Sequence, residues 1–197
     1  MAHAAGIVAV ALAAGVAVLT AGYAAGCAPA PPDHAVLAKA YDNFDAMRYE
    51  AAVTGVKSYL LHHPRDAGAH WLLGACYRNM TPPWLTLAEG EFGVALALLE
   101  QTGRPGGLDR FADTQSLTFE IHRGRALAGM QWILAAMDRG MKPHHIRRLA
   151  RQTLDHVQEA LAMRPDHEEL EEMRVTLRGL LDETETEEPA AAEPFVV

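Results

Sequence analysis

Cysteine is nearly absent from this chain: only Cys27 and Cys76 occur in 197 residues. Two thiols cannot build a disulfide framework, so the fold must rest on a hydrophobic core. An excess of positive charge is missing too. Seventeen Lys and Arg stand against 25 Asp and Glu, for a formal charge of −8. That balance gives no basis for general nucleic-acid binding, which needs a strong basic field. Aromatic residues make up only 7% of the chain. No segment alternates polar and apolar residues long enough to argue a strand.

The common catalytic signatures are also lacking. There is no His-Glu-x-x-His, Cys-x-x-Cys or Gly-x-Ser-x-Gly, and so no motif for a metal, a redox pair or a nucleophile. The run Gly103 to Gly107 has no Gly-Lys-Ser/Thr ending, and reads as a turn rather than a phosphate loop. Ten histidines are present. The pairs His62-His63 and His144-His145 are adjacent, which aims their side chains ~100° apart on a helix. Glu120 and His122 are two apart and lie on different faces. His156 and Glu159 are three apart and form a single weak pair. The sequence therefore predicts no cofactor, no metal site and no catalytic residue.

What is abundant is Ala, Leu, Glu and Arg, a composition that favours helix. Asp33 follows two prolines as a helix cap, and Leu37, Ala40, Tyr41 and Phe44 then repeat at helical spacing. A second helix carries Tyr49, Ala52, Val53, Val56 and Leu60, and Pro64 ends it. Asp66 caps a third, whose stripe is Ala69, Leu72, Leu73, Cys76, Tyr77 and Met80. Cys76 on that stripe reads as a small buried hydrophobe. Thr81-Pro82-Pro83 is expected to open a fourth helix, the prolines occupying its first turn. Gly103 to Gly107 closes that helix. A longer one spans about 113–137, Lys142-Pro143 opens the next, and Pro165 stops it. Asp166 to Glu169 reads as a capping box for the last.

The N-terminus differs in kind. Residues Gly6 to Gly22 are almost wholly apolar, and Ala24-Ala25-Gly26-Cys27 follows. An apolar stretch ending in small residues reads as a secretory signal. The Ala-Gly-Cys ending resembles a bacterial lipobox, which implies cleavage before Cys27 and lipid on its thiol. An uncleaved anchor or an ordinary signal is the other reading, since the stretch approaches the ~20 residues of a spanning helix. Either way the rest of the chain is expected to be exported or membrane-tethered, and the lipobox resemblance implies the cell envelope, anchored on the extracytoplasmic face of a membrane. The expected layout is a signal or anchor over 1–26, a Pro/Ala tether over 27–33, a helical domain over 34–182 and a disordered acidic tail over 183–197.

The helical region resembles tetratricopeptide repeat (TPR) proteins. Leu73-Gly74 is followed by Tyr77, Ala52 follows Tyr49, and Pro64 closes the unit. Ala160 to Asp166 reads as another helix ending with its turn. Pro64 and Pro165 are separated by close to three periods of ~34 residues. The resemblance implies an all-α fold. Antiparallel helix pairs would stack as a short TPR-like solenoid of about three units (34–65, 66–104 and 113–165) plus a closing helix over 166–182. It also implies a binding scaffold rather than an enzyme, with a protein partner, a peptide or a helix, in a concave groove. By the family register, with Gly74 at the family's Gly position, that groove is lined by Trp71, Ala75, Arg78 and Asn79 from the second unit; by the looser register of the first unit, Leu37, Tyr41 and Phe44 line it too. The Lys, Asn and Arg set of the family's carboxylate-clamp members is missing.

Two further features stand outside the repeat. Arg139, Lys142, Arg147, Arg148 and Arg151 form a basic patch with His144 and His145, uninterrupted by any acid. It suits phosphate groups or an acidic partner. Residues 80–142 depart most from the repeat. A pocket there, between His122 and His145, would instead suggest an envelope enzyme or a small-molecule-binding protein.

Overall fold

The computed structural model describes residues 33–186. The expected signal segment, the tether, Cys27 and residues 187–197 lie outside them. Helix α1 (Asp33–Asp45) and helix α2 (Tyr49–Leu60) are joined by a tight turn in which Met47 takes a positive φ of 58°. Asp66 then caps α3 (Ala67–Asn79), its Oδ1 accepting from the Ala69 N–H at 2.9 Å. Helix α4 (Leu85–Thr102) ends at Gly103, whose left-handed φ of 61° lets its N–H bond the Leu99 carbonyl. A side chain at that φ would be strained, which is why glycine ends the helix. Asp113 caps α5 (Thr114–Asp138) through the Ser116 N–H at 2.7 Å. Pro143 opens α6 (Pro143–Met163), where no N–H is needed, and α7 (Glu168–Thr186) closes the chain of helices.

Two boundaries differ from expectation. Pro82 and Pro83 are not in the first turn of α4; they lie in the non-helical link before it. There the Trp84 N–H bonds the Tyr77 carbonyl at 2.9 Å and the Trp84 ring stacks on Tyr77 at 5.7 Å. Those contacts fold the link back on α3 and delay the helix start. At the other end, α7 begins at Glu168, so His167 rather than Asp166 holds the capping position. The His167 ring packs on Phe119, 5.4 Å between centroids, which draws it inward. Helix α7 also runs past Asp182 to Thr186.

The described residues are all-helical, and the helices stack as antiparallel pairs in a short solenoid. The pairs are α1/α2, α3/α4 and α5/α6, and α7 packs on α6 as the closing helix. Helix α3 also touches α1 and α5, so the odd-numbered helices form an inner layer. Helices α4 and α6 do not pack closely on each other and leave a cleft above α5. The long α5 serves two cores. Leu117 and Ile121 join the core of the first two pairs, whereas Phe119, Ala126, Ile133 and Ala136 join that of α6 and α7.

Small residues set the distance between pairs. The Phe92 ring of α4 is fully buried. A Cβ at Gly74 would meet it at 2.9 Å, and one at Gly124 at 2.6 Å. Only glycine at both places admits the ring between α3 and α5. Full burial of such a ring contributes ~2–3 kcal/mol. The loop after α4 is also built in. The Gly68 N–H donates to the Pro105 carbonyl at 2.8 Å, and the Gly107 N–H to Asp66 Oδ1 at 2.9 Å. Tyr59, on α2, donates its hydroxyl to the other oxygen of Asp66 at 2.9 Å. Asp66 thus ties α2, α3 and the loop together, and it places Phe111 beside Trp71.

Candidate functional site

The inner layer carries a groove that begins on aromatic residues. Phe44 at the end of α1 and Trp71 in α3 meet edge to face, 6.1 Å between centroids. Phe111 from the loop also meets Trp71, at 5.0 Å and 84°. Edge-to-face contacts of this kind hold rings rigid while leaving one surface open. Beyond them is a cavity of about 140 Å³ whose walls include Phe44, Trp71, Ala75, Arg78, Glu120 and Arg123. A cleft of about 400 Å³ follows, with Arg110, Phe111, Ser116 and Arg164 on its walls. Trp71 and Glu120 line both spaces, so the two are parts of one groove.

The charges in this groove are unevenly matched. Arg123 bonds Glu169 through Nε at 3.0 Å and Glu120 through Nη1 at 3.4 Å. Arg110 pairs with Asp45 at 2.9 Å. Arg164 lies over the Phe119 ring at 3.8 Å, with Glu120 at 3.8 Å from its Nη1. Arg78 differs from all three. It has no hydrogen bond or ion pair among the described residues, and its Nε is buried without a partner. Burial, and then the neighbouring Arg123, holds its pKa below the usual range, against the pull of Glu169, Tyr49 and Glu120. A guanidinium remains charged even so. The groove therefore holds a partly desolvated cation that no anion among the described residues bonds.

The expected groove residues separate accordingly. Trp71, Ala75, Arg78 and Phe44 come together there. Leu37 and Tyr41 do not: they are 0% and 5% exposed and belong to the core. Tyr41 is held in by its hydroxyl on the Gly68 carbonyl at 3.4 Å and by Arg110 over its ring. Asn79 lies outside both cavities, its amide bonded to the Ala75 carbonyl at 2.8 Å. Glu120, Arg123 and Phe111 were not expected in the groove. They come from α5 and from the loop, where no repeat register assigns them. Cys76 is fully buried, which pushes its thiol pKa up to about 12 and makes it inert.

On the other face, Arg148 and Arg151 are exposed on α6 and Arg147 is half-buried. The His144 and His145 rings are 4.1 Å apart beside them. Slight desolvation, then the charges of His144, Arg148 and Lys142, hold His145 below its usual pKa. In the irregular middle a cleft opens between α4 and α6, floored by α5. It measures about 420 Å³ and takes in Glu89, Arg125, Trp132 and His156. The His122 ring is 5.6 Å from that of His156. Among the described residues no group of three or more His, Cys, Asp or Glu is placed to hold a metal ion. None of the described helices is long and apolar enough to cross a membrane. Compared with protein-family models, with curated proteins and with solved structures, the chain finds no match in any of the three.

Proposed function

We propose that this chain is a non-catalytic interaction scaffold of the TPR type. It binds a segment of a partner protein, a peptide or a helix, along the groove of α1, α3 and α5. The observation that carries the reading is Arg78: a desolvated guanidinium beside Trp71 and Phe44 that no carboxylate among the described residues bonds. A cation left this way costs stability and is expected where a partner supplies the anion. The fitting segment presents an acidic side chain to Arg78 and an apolar one to the Phe44–Trp71 edge. Such an anchor, aromatic and arginine together in a desolvated recess, is the kind that dominates binding energy. The lipobox-like Cys27 supports an envelope location with a lipid anchor, and the basic patch of α6 would then face anionic groups.

The test is affinity capture of the full chain from its own envelope, beside Arg78→Glu and Trp71→Ala chains. Capture of one stoichiometric partner by the unaltered chain, lost in both variants, supports the groove. Equal capture by all three sinks it. Intact mass of the recovered chain decides the anchor: a start at an acylated Cys27 supports it, and an uncleaved chain rules it out.

A further inference from the structure

The cleft between α4 and α6 has a chemistry of its own. Its volume, about 420 Å³, falls in the ~300–1,000 Å³ range of small-molecule sites. One side is apolar: Leu85 of α4, Leu149 of α6 and the indole of Trp132. Trp132 is 37% exposed, so part of its ring is open to the cleft and to solvent. At the base, the Arg125 guanidinium is turned onto a single oxygen of Glu89, with Nε at 2.7 Å. That contact neutralises the pair and leaves the second Glu89 oxygen unused.

The remaining polar groups are mostly acceptors. Asp155 makes no hydrogen bond or ion pair among the described residues, and neither do Gln152 and His156. They follow one another along α6 and line the cleft with Thr153, whose hydroxyl donates to the Leu149 carbonyl at 2.8 Å. The Thr153 oxygen is thereby left as an acceptor as well. With Glu89 and Arg125 offsetting each other, Asp155 gives the cleft one net negative charge. Burial, and then Arg125 and His122, pushes His156 down to about 4, so its ring is neutral near pH 7 and offers a lone pair. Carboxylates and lone pairs facing one aromatic wall match a donor-rich cation with an apolar body, and the ring face adds a cation–π attraction.

We infer that this cleft is a binding site for a small amphiphilic amine, its ammonium among Asp155, Glu89 and Gln152 and its apolar part against Trp132 and Leu149. The site is separate from the groove, since no residue lines both.

The full chain titrated with phenethylamine by calorimetry and ligand-observed NMR tests this. 3-Phenylpropionate, a ring on a similar chain with the opposite charge, is the control. The expected result is binding of the amine at ~1 mM or tighter, with no binding of the acid. Asp155→Asn, at an exposed position, is expected to weaken the amine about tenfold without altering the fold. Trp132→Leu should weaken it by a similar factor, and Arg78→Glu should leave it unchanged. Equal binding of acid and amine would overturn the charge argument. Absence of amine binding, or binding that neither Asp155→Asn nor Trp132→Leu changes, would overturn the site.

Discussion

Replacing Gly124 by Ala should destabilise this protein, although alanine is the better helix former. In an open helix the change gains ~0.5–1 kcal/mol, because glycine loses more backbone entropy on folding. At Gly124 the new Cβ would stand 2.6 Å from Phe92 Cζ, and 3.0 and 3.1 Å from the two Cε atoms. Carbon atoms rest at ~3.5–4.0 Å, so the ring must retreat by about an ångström. It cannot do so easily. Gly74 backs it, at a distance where a Cβ there would also collide, and the ring is 0% exposed. Overpacking of this kind costs ~1–3 kcal/mol, which exceeds the helix gain. The net loss should be about 1–2 kcal/mol, or a fall in Tm of about 2–8 °C for a chain of this size. Gly90 is the control: nothing stands within 4 Å of a Cβ there. Gly90→Ala should stabilise by ~0.5–1 kcal/mol. Urea unfolding followed by circular dichroism measures both. Adding Phe92→Leu to Gly124→Ala should give a loss smaller than the two singles combined, by ~1 kcal/mol. If Gly124→Ala stabilises as much as Gly90→Ala, the keyed ring does not set the spacing of these helices.

Asp66→Ala removes acceptors from the Ala69 N–H, the Gly107 N–H and the Tyr59 hydroxyl, each at 2.9 Å. The cost should be about 2–4 kcal/mol in the same unfolding assay, with Asp66→Asn retaining part of it; a loss under ~1 kcal/mol would contradict the tie. Arg78→Met should leave stability unchanged or raise it by ~1 kcal/mol while abolishing partner capture, because it removes a desolvated charge that has no partner among the described residues. A clear destabilisation would mean that the cation is compensated within the chain. Acid should weaken the fold through His156. Its pKa falls from 6.5 to about 4 on folding, so the unfolded chain takes up the proton first. That stability is fully present above pH 6.5 and is lost as pH falls towards 4. Allowing for the ring's partial exposure, it amounts to about 1–2 kcal/mol. His122, also depressed by burial and then by Arg125, adds loss of the same sign. His156→Gln should flatten the slope of stability against pH in that range; an unchanged slope would refute the assignment. His70 acts in the opposite sense. Burial lowers its pKa, but the bond to Glu91 at 2.7 Å and the Pro64 carbonyl outweigh this and raise it. Its contribution is therefore present at low pH and lost as pH rises.

Local rules located most helix ends. Asp66 and Asp113 cap where a short carboxylate can reach an unsatisfied N–H, Gly103 ends α4, and Pro143 opens α6. Where a boundary moved, a distant contact moved it: Trp84 on Tyr77 ahead of α4, and His167 on Phe119 ahead of α7. The site was legible only in part. Trp71 and Arg78 could be named from the family register, but the looser register that named Phe44 in the first unit also named Leu37 and Tyr41, which are buried.

By itself, then, the sequence determined that the domain is helical, where most of its helices begin and end, and which stripe of each is apolar. These follow from interactions within a few residues, and such interactions are written in spacing and in the placing of Asp, Gly and Pro. Tertiary structure decided which neighbour covers each stripe. It seated Phe92 between Gly74 and Gly124, left Arg78 with no anion bonded to it among the described residues, and gathered Glu89, Arg125, Trp132 and Asp155 round one cleft. Helical periodicity repeats alike on every turn, so it marks a face but cannot say what will lie against it. That depends on how closely helices from distant parts of the chain can approach, which the volumes of their facing side chains fix only once they meet.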